Sequence, residues 1–451
     1  MTYDEAVRRL FHLGKELASP QQARVQKFDL ENIRVLSESL GHPHLARPCA
    51  HIAGTNGKGS TAAMLESILR ASGRRTGLYT SPHLERINER IRIAGVPIGD
   101  AEFAAAFRRV QTAIEAGLAS GTLRAHPTFF EVITAMALVA FADAGVDFVV
   151  YETGMGGRLD ATNIVDPEVI VITQIDFDHE TFLGHSLEQI AAEKAGIIKA
   201  GKTVVSSCER PEARAVIAAK CAAVGARLLE IDSAFEIRQL DSDGGFYRAV
   251  ISAADSRDSH DGLVLQLPLA GRFQVRNAMA AAAAAKILGE KFSINTESIA
   301  RGIATVRWPG RLERLGERPA IFLDGTHNPA GARELLRFWD QNFAGQRIYL
   351  VYGSVRDKAV DEIAGLLFPR AHTVILTEPR QPRAISVALL AEITSDLAPR
   401  CEIVRDPVRA LERALQLATP EDAVFVSGSL YLVGDIRAAA LQMARTAGFM
   451  A

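Results

Sequence analysis

The sequence predicts an α/β protein with two domains, each built on a largely parallel β-sheet. Short runs of apolar and β-branched residues alternate with segments of helical periodicity, as in chains made of repeated β-α-β units. The 451 residues exceed what a single hydrophobic core normally organises. A polar stretch before residue 295 divides the alternating segments into two series. We therefore expect one domain over 1–294 and a second over 295–451.

The first series begins with an apolar run at residues 50–53 and continues into a helix. The buried face of that helix recurs at helical spacing, at Met64, Leu65, Ile68 and Leu69. Further strands are predicted at 147–151, 169–174 and 203–206. Between 235 and 270 the hydrophobic period changes toward two around Gly244-Gly245, which indicates an antiparallel hairpin insertion in the parallel sheet. An alanine-rich helix over 277–288 and a polar linker over 289–295 end the series.

The second series repeats the alternation without a lysine-bearing glycine loop. Its predicted strands are 320–323, 348–352, 374–377 and 423–426. Its predicted helices lie near 330–339, 387–397 and 408–417. We expect a Rossmann-like α/β domain, with the nucleotide carried by the first domain.

Charge and composition exclude several classes of protein. A formal net charge of −2 gives no general attraction to nucleic acid or to an anionic membrane. The four cysteines are scattered, without the paired spacing of a metal site or a disulfide framework. Asp4 and Glu5 stand where a secretory signal would carry basic residues, and no apolar run is long enough to span a bilayer. These features predict a cytoplasmic protein with no nucleic-acid or membrane partner.

The sequence AHIAGTNGKGST at 50–61 is typical of a polyphosphate site. Glycines let backbone N–H groups approach phosphate oxygens, and the following helix N-terminus adds partial positive charge. Lys58 can reach the terminal phosphates, and Ser60 or Thr61 can offer a hydroxyl to Mg²⁺. Ile52 stands where the standard P-loop has its first glycine, and Gly59 where Ser or Thr follows the lysine. A glycine-rich turn with a solvated lysine therefore stays open at this point.

Polar residues follow two further strands of the first series. Glu152 ends one strand and precedes a glycine loop, so it could ligate Mg²⁺ at the sheet edge where α/β proteins bind ligands. His179 follows the next strand and could complete a metal site. The alternatives are a surface loop for the glycines and an ordinary satisfied histidine. Lys194 and Lys199, on the following helix, would usually be solvated.

Two segments of the second series also carry polar groups suited to binding. Asp324 and His327 lie in a strand-to-helix loop that ends in Pro329, which suits the first turn of a helix. Arg311, in the sequence WPGR, could clamp a phosphate, because a guanidinium suits bidentate recognition of oxyanions. A capped turn and a structural turn are the corresponding alternatives.

Taken together, ten segments resemble the folylpolyglutamate synthase/dihydrofolate synthase family within the Mur-ligase superfamily. They follow in the family's order at 51–60, 80–84, 129–131, 154–163, 178–179, 193–199, 274–277, 308–311, 324–329 and 427–430. The Gly57-Lys58-Gly59-Ser60 variant that weakens the general P-loop match is the family's own. Thr153, Met155 and Thr326 depart from the family's pattern at positions that bear on substrate selectivity.

The resemblance implies an ATP-dependent ligase that adds L-glutamate to dihydropteroate and to reduced folates. ATP would phosphorylate a carboxylate of the pterin substrate, and the amine of glutamate would attack the resulting acyl phosphate. Phosphorylation supplies a good leaving group and removes the charge that repels nucleophiles. Catalysis is then mostly positioning and neutralisation of phosphoryl charge. The family also implies hinge closure around the nucleotide and a monomer.

The resemblance assigns roles to individual positions. Nucleotide contacts are implied at Gly54, Thr55, Asn56, Gly57, Lys58, Gly59, Ser60, Asn277, Arg311, Asp324 and His327. Mg²⁺ ligands are implied at Ser60, Glu152 and His179, with a monovalent cation such as K⁺ in addition. Catalytic roles are implied at Lys58, Lys194, Asp324 and His327, Lys194 through carbamylation, which would turn a cation into a metal-binding anion. Substrate contacts are implied at Thr80, Ser81, Pro82, His83, Gly154, Met155, Gly156, Arg158, Asp160 and Ser427.

Three alternatives remain beside the dual-activity ligase. A single-activity folylpolyglutamate or dihydrofolate synthase would share the same motifs. A cell-wall Mur ligase would need a UDP-binding N-terminal domain, and the stretch before residue 50 is too short for one. A nucleotide-binding regulator without turnover would show a broken lysine or metal position, and neither is broken in this sequence.

Overall fold

The computed structural model describes residues 1–13, 29–254 and 262–446. Its strands are β1 (Cys49–Ala53), β2 (Thr76–Tyr79), β3 (Ile91–Ile93), β4 (Val96–Pro97), β5 (Phe148–Glu152), β6 (Val169–Ile172), β7 (Thr203–Ser206), β8 (Arg227–Glu230), β9 (Phe235–Asp243), β10 (Phe246–Ala253), β11 (Leu263–Gln266), β12 (Glu313–Glu317), β13 (Ala320–Leu323), β14 (Ile348–Tyr352), β15 (Thr373–Leu376), β16 (Cys401–Ile403) and β17 (Ala423–Ser427).

Its helices are α1 (Tyr3–His12), α2 (Glu31–Ser39), α3 (Lys58–Ala71), α4 (Asp100–Ser120), α5 (Phe129–Asp143), α6 (Glu180–Leu183), α7 (Leu187–Ala195), α8 (Pro211–Val224), α9 (Ile231–Ala234), α10 (Phe273–Leu288), α11 (Thr296–Thr305), α12 (Pro329–Asn342), α13 (Val360–Leu367), α14 (Val387–Ile393), α15 (Pro407–Leu417) and α16 (Leu430–Thr446). In the part of the chain that the structure describes, none of them is long and apolar enough to cross a membrane.

The first sheet has eight strands in the order β4-β3-β2-β5-β1-β6-β7-β8. Six strands, β2, β5, β1, β6, β7 and β8, run parallel in this sheet, and β3 and β4 add an antiparallel edge beside β2. Central strands such as β1, β5 and β6 are buried along their whole length. Continuous apolar runs are expected there, because helices cover both faces of a parallel sheet. One face packs on α3, α10 and α11, and the other on α1, α2, α4 and α5.

The predicted hairpin insertion is confirmed. Strands β9 and β10 pair antiparallel across Gly244 and Gly245, whose φ values of +55° and +84° suit a tight two-residue hairpin turn. The sequence did not predict β11, which pairs with β10 to form a three-stranded sheet. Residues 255–261 of the predicted 235–270 segment lie outside the described residues.

The second sheet has six strands in the order β12-β13-β17-β14-β15-β16. Strand β12 is antiparallel to β13, and the other neighbours are parallel. Helices α12 and α13 cover one face, while α15 and α16 cover the other. The predicted α/β class with two sheets is therefore confirmed.

Most predicted elements match closely, and the misses have local causes. The strands predicted at 203–206, 320–323 and 348–352 match residue for residue. Helix α14 ends at Ile393 instead of continuing to 397. The Thr394 hydroxyl donates to Leu390 O at 2.8 Å there, and short polar side chains of this kind favour helix ends over helix interiors.

The helix that follows the predicted boundary at 295 packs on the first sheet. Ser67 Oγ of α3 donates to Gly302 O at 2.7 Å, and a Cβ on Gly302 would lie 2.4 Å from Ile68 Cα. Ile299 and Ile303 join the same core as α3. The second sheet begins only at Glu313. In this packing α11 buries its apolar face against α3, and the domain boundary at 295 stays a prediction.

Candidate active site

Loops at the carboxyl ends of strands from both sheets meet across one cleft. The Asn56 side chain, after β1, exchanges hydrogen bonds with the Asn328 side chain, after β13, at 3.2 and 2.9 Å. Lys358, after β14, contacts Asp178, after β6, at 2.7 Å. Ligands of α/β sheets bind at this edge, so the cleft is the expected site.

The glycine loop before α3 leaves no room for side chains at two positions. A Cβ on Gly54 would lie 1.9 Å from Thr173 Oγ1, and one on Gly57 would lie 2.3 Å from Asn277 Oδ1. Gly57 has a φ of +88° and caps the helix that Lys58 begins. The backbone therefore approaches its surroundings closely at the N-terminus of a fourteen-residue helix, as anion binding requires.

Lys58 bends back over its own loop. Its Nζ donates to Gly54 O at 3.0 Å and to Thr55 O at 3.1 Å. Burial lowers the pKa of Lys58, while the nearby charges of Glu152 and Asp178 act in the opposite direction. The ammonium group has no carboxylate within ion-pair distance among the described residues, so it is available to an anionic ligand.

Glu152 ends β5 beside the phosphate loop and is only 4% exposed. Its Oε2 accepts a hydrogen bond from the Ser81 backbone N–H at 3.1 Å. A Cβ on Gly59 would lie 3.4 Å from the same oxygen, which places the carboxylate against the loop. Burial raises the pKa of Glu152 to about 6, although Lys58 and Arg311 favour the charged form. Such a carboxylate gains from a cation beside it.

Lys194 is buried, in contrast to the solvated lysine usual at such a position. It is 4% exposed, and its Nζ donates to Gly54 O at 2.7 Å. Burial, together with the charge of Lys58, lowers the pKa of Lys194 to about 7. The second lysine of that segment, Lys199, donates to the Asn163 side chain at 2.7 Å.

The glycine loop after β5 is held by two charged residues of the predicted substrate set. Asp160 accepts hydrogen bonds from the backbone N–H groups of Gly154, Met155 and Thr162 at 2.8, 3.0 and 3.0 Å. Arg158 forms an ion pair with Glu193 at 2.8 Å. These contacts position the loop, and the direct substrate contact of both residues stays a prediction. Gly156 is in the same loop, with a φ of +67°.

The loop after β2 lies next to Glu152. Thr80 is buried and donates its backbone N–H to Arg90 O at 3.0 Å, while Ser81 contacts Glu152. His83 Nδ1 accepts from Arg90 Nε at 3.0 Å. Pro82 lines a cavity between the two sheets. The structure therefore brings the predicted residues 80–83 to one side of the cleft.

A polar cluster around Asp178 joins the two domains. Asp178 contacts Lys358 at 2.7 Å, and His179 and His327 each lie 3.7 Å from its Oδ2. Burial opposes ionisation of Asp178, but His327 and Lys358 outweigh it and hold the pKa of that carboxyl well below its usual range. Burial lowers the pKa of His179 to about 3, so its imidazole is neutral.

The remaining predicted residues surround the same cleft. Asp324 accepts from the backbone N–H groups of Leu312 at 3.0 Å and Thr326 at 3.2 Å. Arg311 donates to Gly310 O at 3.2 Å. Asn277 lies against Gly57. The buried Ser427 Oγ finds no hydrogen-bond partner within the described part of the chain.

The predicted metal ligands Ser60, Glu152 and His179 stay a prediction. Among residues 1–13, 29–254 and 262–446, no group of three or more His, Cys, Asp and Glu side chains is arranged to hold an ion. Ser60 Oγ is buried and accepts from Gln274 Nε2 at 3.3 Å. Ser60 and Glu152 still offer two buried oxygens beside the loop, and His179 faces the Asp178 cluster.

Sequence reasoning missed Lys358 and gave no role to Asp178, Asn328 or Gln274. In sequence, Lys358 follows Arg356 and Asp357 in a polar segment, where a lysine is usually solvated. Its side chain is only 8% exposed and forms an ion pair with Asp178 of the other sheet. Asn328 carried a signal, since an Asn before Pro329 predicts a helix cap, and its Oδ1 does accept from Gly331 N at 2.8 Å.

Family models match both halves of the chain. Residues 52–285 match the Mur ligase middle domain, and residues 310–430 match the Mur ligase, glutamate ligase domain. The gap between the two matches contains α11.

Individual relatives cover most of the chain. The dihydrofolate synthase/folylpolyglutamate synthase of Bacillus subtilis is 35% identical over 90% of this chain and 94% of its own length. The folylpolyglutamate synthase of Lacticaseibacillus casei is 36% identical over 91% and 94%. The solved structure of Escherichia coli FolC in complex with DHPP and ADP is 30% identical, covers 99% of both chains and superposes with a TM-score of 0.85. The chain therefore belongs to the folylpolyglutamate synthase/dihydrofolate synthase family of ATP-dependent Mur ligases.

Proposed function

We propose that this chain ligates L-glutamate both to dihydropteroate, forming dihydrofolate, and to reduced folates, forming folylpolyglutamates. One observation carries the proposal. A buried carboxylate, Glu152, and two lysines, Lys58 and Lys194, surround a phosphate-type glycine loop that faces the polar loops of a second domain. Such a cleft can hold a nucleotide on one side and a carboxylate with its amine acceptor on the other.

The chemical problem is the activation of a carboxylate. A carboxylate resists attack by an amine, because its charge repels the nucleophile and oxide is a poor leaving group. In the proposed reaction a carboxylate oxygen attacks the terminal phosphorus of ATP, and ADP leaves. The glutamate amine then attacks the acyl carbon of the acyl phosphate, the C–O bond breaks, inorganic phosphate leaves, and the amine loses a proton to solvent.

The phosphate loop supplies most of the charge stabilisation in this proposal. The backbone N–H groups of residues 54–60 and the N-terminus of α3 hold the phosphates of the nucleotide. Lys58 turns from Gly54 O and Thr55 O toward the transferring phosphoryl group, where charge develops in the transition state. Arg311, Asp324 and His327 complete the nucleotide site from the second domain, with Asn277 beside the loop.

Mg²⁺ is the proposed metal, and the residues present fit it in part. Mg²⁺ prefers oxygen ligands and commonly binds through one or two carboxylates together with substrate phosphates. Glu152 and Ser60 would hold it, since both are buried beside the loop and Glu152 has a raised pKa that a cation would lower. When bound, Mg²⁺ supplies charge neutralisation at the phosphates. His179 is the third proposed ligand, because its neutral imidazole is the form that binds metals.

Lys194 is the proposed site of carbamylation. With the pKa of Lys194 lowered to about 7, a large share of its side chain is the free amine at neutral pH. The amine would attack the carbon of CO₂, a C–N bond would form, and a proton would leave to water. The resulting anion would lie beside Lys58 and could attract a cation such as K⁺. Carbon-13 NMR with labelled bicarbonate tests this, because Lys194→Ala should lack a carbamate signal that the parent protein gives.

The second domain is proposed to hold the incoming glutamate. Ser427 Oγ is buried without a partner in the described residues, and a ligand carboxylate would satisfy it. Both sheets of the site belong to one chain, so we propose that a monomer is active. Light scattering on a size-exclusion column tests the monomer. Small-angle scattering with and without nucleotide and pterin tests hinge closure, which predicts a more compact particle with ligands bound.

The function is tested by measuring ADP release from purified protein with dihydropteroate or tetrahydrofolate, in the presence and absence of L-glutamate. The proposal expects glutamate-dependent ADP release with both pterin substrates. Turnover with one of them alone would establish a single-activity synthase instead. No glutamate-dependent turnover with either substrate would contradict the proposed function.

A further inference from the structure

A cavity of about 450 Å³ opens between the two sheets beside the phosphate loop. Side chains from the segment 80–100 of the first domain form one part of its wall, and Trp308, Arg311 and Arg437 are among those that form the other part. The indole of Trp308 separates it from the loop, since a Cβ on Gly59 would lie 3.1 Å from Trp308 Cζ2. The cavity therefore adjoins the place where a terminal phosphate and a substrate carboxylate would meet.

The carboxylates that line this cavity already have partners. Glu85 is paired with Arg437 at 2.7 Å, and Asp100 with Arg86 at 2.8 Å. Glu89 accepts hydrogen bonds from the backbone N–H groups of residues 84–86 at 2.8, 3.0 and 2.8 Å. These contacts engage the wall carboxylates elsewhere, and within the described residues none of them forms an ion pair with a further cation of the wall.

Arg92 is one such cation of the cavity wall. It lies on β3, and its guanidinium carbon is 5.4 Å from the centroid of the Trp308 ring. Its Nε is shielded from solvent and donates no hydrogen bond within the described part of the chain. Burial lowers the pKa of Arg92, the charges of Glu89 and Glu66 oppose this shift, and the charge of Arg437 adds to it. A partly buried guanidinium in this position gains from an oxyanion ligand.

We propose that Arg92 binds the α-carboxylate of the glutamyl tail of a folate substrate, and that the cavity holds this tail. The proposal rests on the proposed function. In a glutamylated folate, the γ-carboxylate of the last glutamate reacts, and the α-carboxylate of the same residue stays charged close by. Dihydropteroate has no second carboxylate, because its only one is the reacting group. Arg92 thus distinguishes substrates that carry a tail from the one that does not.

The stacking of Arg92 on Trp308 suits the binding of a carboxylate. A guanidinium can hold a carboxylate through two parallel hydrogen bonds, and stacking on an indole fixes its plane. The ring of Trp308 contacts Arg92 on the cavity side and the phosphate loop near Gly59. Arg92 is therefore a specificity residue that positions the tail while the reacting carboxylate lies at the loop.

The test compares Arg92→Met and Arg92→Lys with the parent enzyme. Arg108→Met serves as the matched control, because Arg108 lies on the exposed face of α4. KM is measured for tetrahydrofolate, for its diglutamate and for dihydropteroate at saturating ATP and glutamate. Arg92→Met should raise the ratio of KM for tetrahydrofolate to KM for dihydropteroate about ten-fold, as expected for one lost charge-assisted hydrogen-bonded contact. Arg92→Lys should raise this KM ratio less than Arg92→Met does, and Arg108→Met should keep the parent ratio.

Other results overturn the proposal in distinguishable ways. An equal rise in KM for both pterin substrates would mean a structural role for Arg92. A rise in KM for L-glutamate that is the same with either pterin substrate would assign Arg92 to the incoming amino acid. An unchanged KM ratio in a folded Arg92→Met variant would show that Arg92 does not bind the glutamyl tail. A parent enzyme without glutamate-dependent turnover would contradict the proposed function itself, and this proposal with it.

Discussion

The two sheets present their carboxyl ends to the same cleft but equip them differently. The first sheet ends in a glycine loop with no room for side chains, and it buries Glu152 and Lys194 with pKa values of about 6 and 7. In the second sheet, Asp324 is satisfied by two backbone N–H groups and His327 contacts Gly325 O at 2.8 Å. The first sheet thus holds a preformed site for charged groups, whereas the polar groups of the second sheet are already satisfied by backbone contacts of their own loops.

The joint between the sheets is polar. Reciprocal amide hydrogen bonds link Asn56 and Asn328, and the buried ion pair links Asp178 and Lys358. Interfaces of this kind separate more readily than apolar ones, which suits a site that must open to exchange substrates. The comparison supports our proposal that the first sheet carries the phosphoryl chemistry and that the second domain closes the cleft and binds the amino acid.

The largest expected effect comes from Lys58→Ala. Removal of the lysine should lower kcat about 1,000-fold or more, because it takes away the charge that faces the transferring phosphoryl group. The thermal midpoint should change little, since Lys58 bonds only to carbonyls of its own loop among the described residues. ADP release and thermal melting measure the two effects. Lys220→Ala, on α8, is the control, and unfolding of Lys58→Ala would show that the lysine is structural.

The joint is tested next by Lys358→Met. The change leaves Asp178 buried without its nearest cation, and loss of one partner of a buried pair typically lowers stability by about 3–5 kcal/mol. We expect a lower unfolding midpoint and a larger radius of gyration by small-angle scattering. Lys202→Met breaks the half-exposed pair with Asp166 at 3.0 Å and should lower stability by less than about 1 kcal/mol. Equal losses of stability in the two variants would show that the Asp178–Lys358 pair does not hold the two sheets together.

The preformed loop is tested by two glycines with nearly the same backbone. Gly57 has a φ of +88° and faces Asn277, whereas Gly73 has a φ of +87° and nothing within 4 Å of the point that a Cβ would occupy. Both alanine variants should lose about 1–2 kcal/mol through left-handed strain. Gly57→Ala should lose about 1–2 kcal/mol more by displacing Asn277, and it should raise the KM for ATP. The same KM for ATP in both variants would mean that the loop accommodates a Cβ at residue 57 without losing its phosphate site.

The smallest effect concerns the buried charge of Glu152. Burial raises the pKa of Glu152 from 4.5 to about 6, so the fold favours its protonated form. The free energy of unfolding should therefore fall by about 2 kcal/mol in all as the pH rises from well below 4.5 to well above 6. In metal-free protein, Glu152→Gln should remove this fall and become more stable than the parent above pH 6. Urea unfolding across that range measures it, and parallel profiles would contradict the burial argument.

Local patterns were enough to predict the elements that carry the phosphate site. The apolar strand, the glycine loop and the helix after it are all encoded within residues 49–71, and the hairpin at Gly244 follows from local alternation. The sequence also predicts Asp160 as a substrate contact, although its hydrogen bonds lie within six residues and belong to the loop itself.

Long-range packing decided what the sequence could not reveal. Lys358 forms an ion pair with Asp178, which is 180 positions away, and nothing near Lys358 in sequence indicates that contact. Nothing near α11 in sequence indicates that this helix packs on α3, where Gly302 lets it approach the backbone of Ile68. Lys194 would usually be solvated, but the carbonyl of Gly54 holds its amine beside the phosphate loop.

The central claim is that the first sheet activates a carboxylate with ATP. Dihydropteroate labelled with oxygen-18 in its carboxylate tests it directly, with mass spectrometry of the released inorganic phosphate. An acyl phosphate transfers a labelled oxygen to phosphorus, so the phosphate formed during glutamate-dependent turnover should carry the label. Amide formation with unlabelled phosphate would contradict the account.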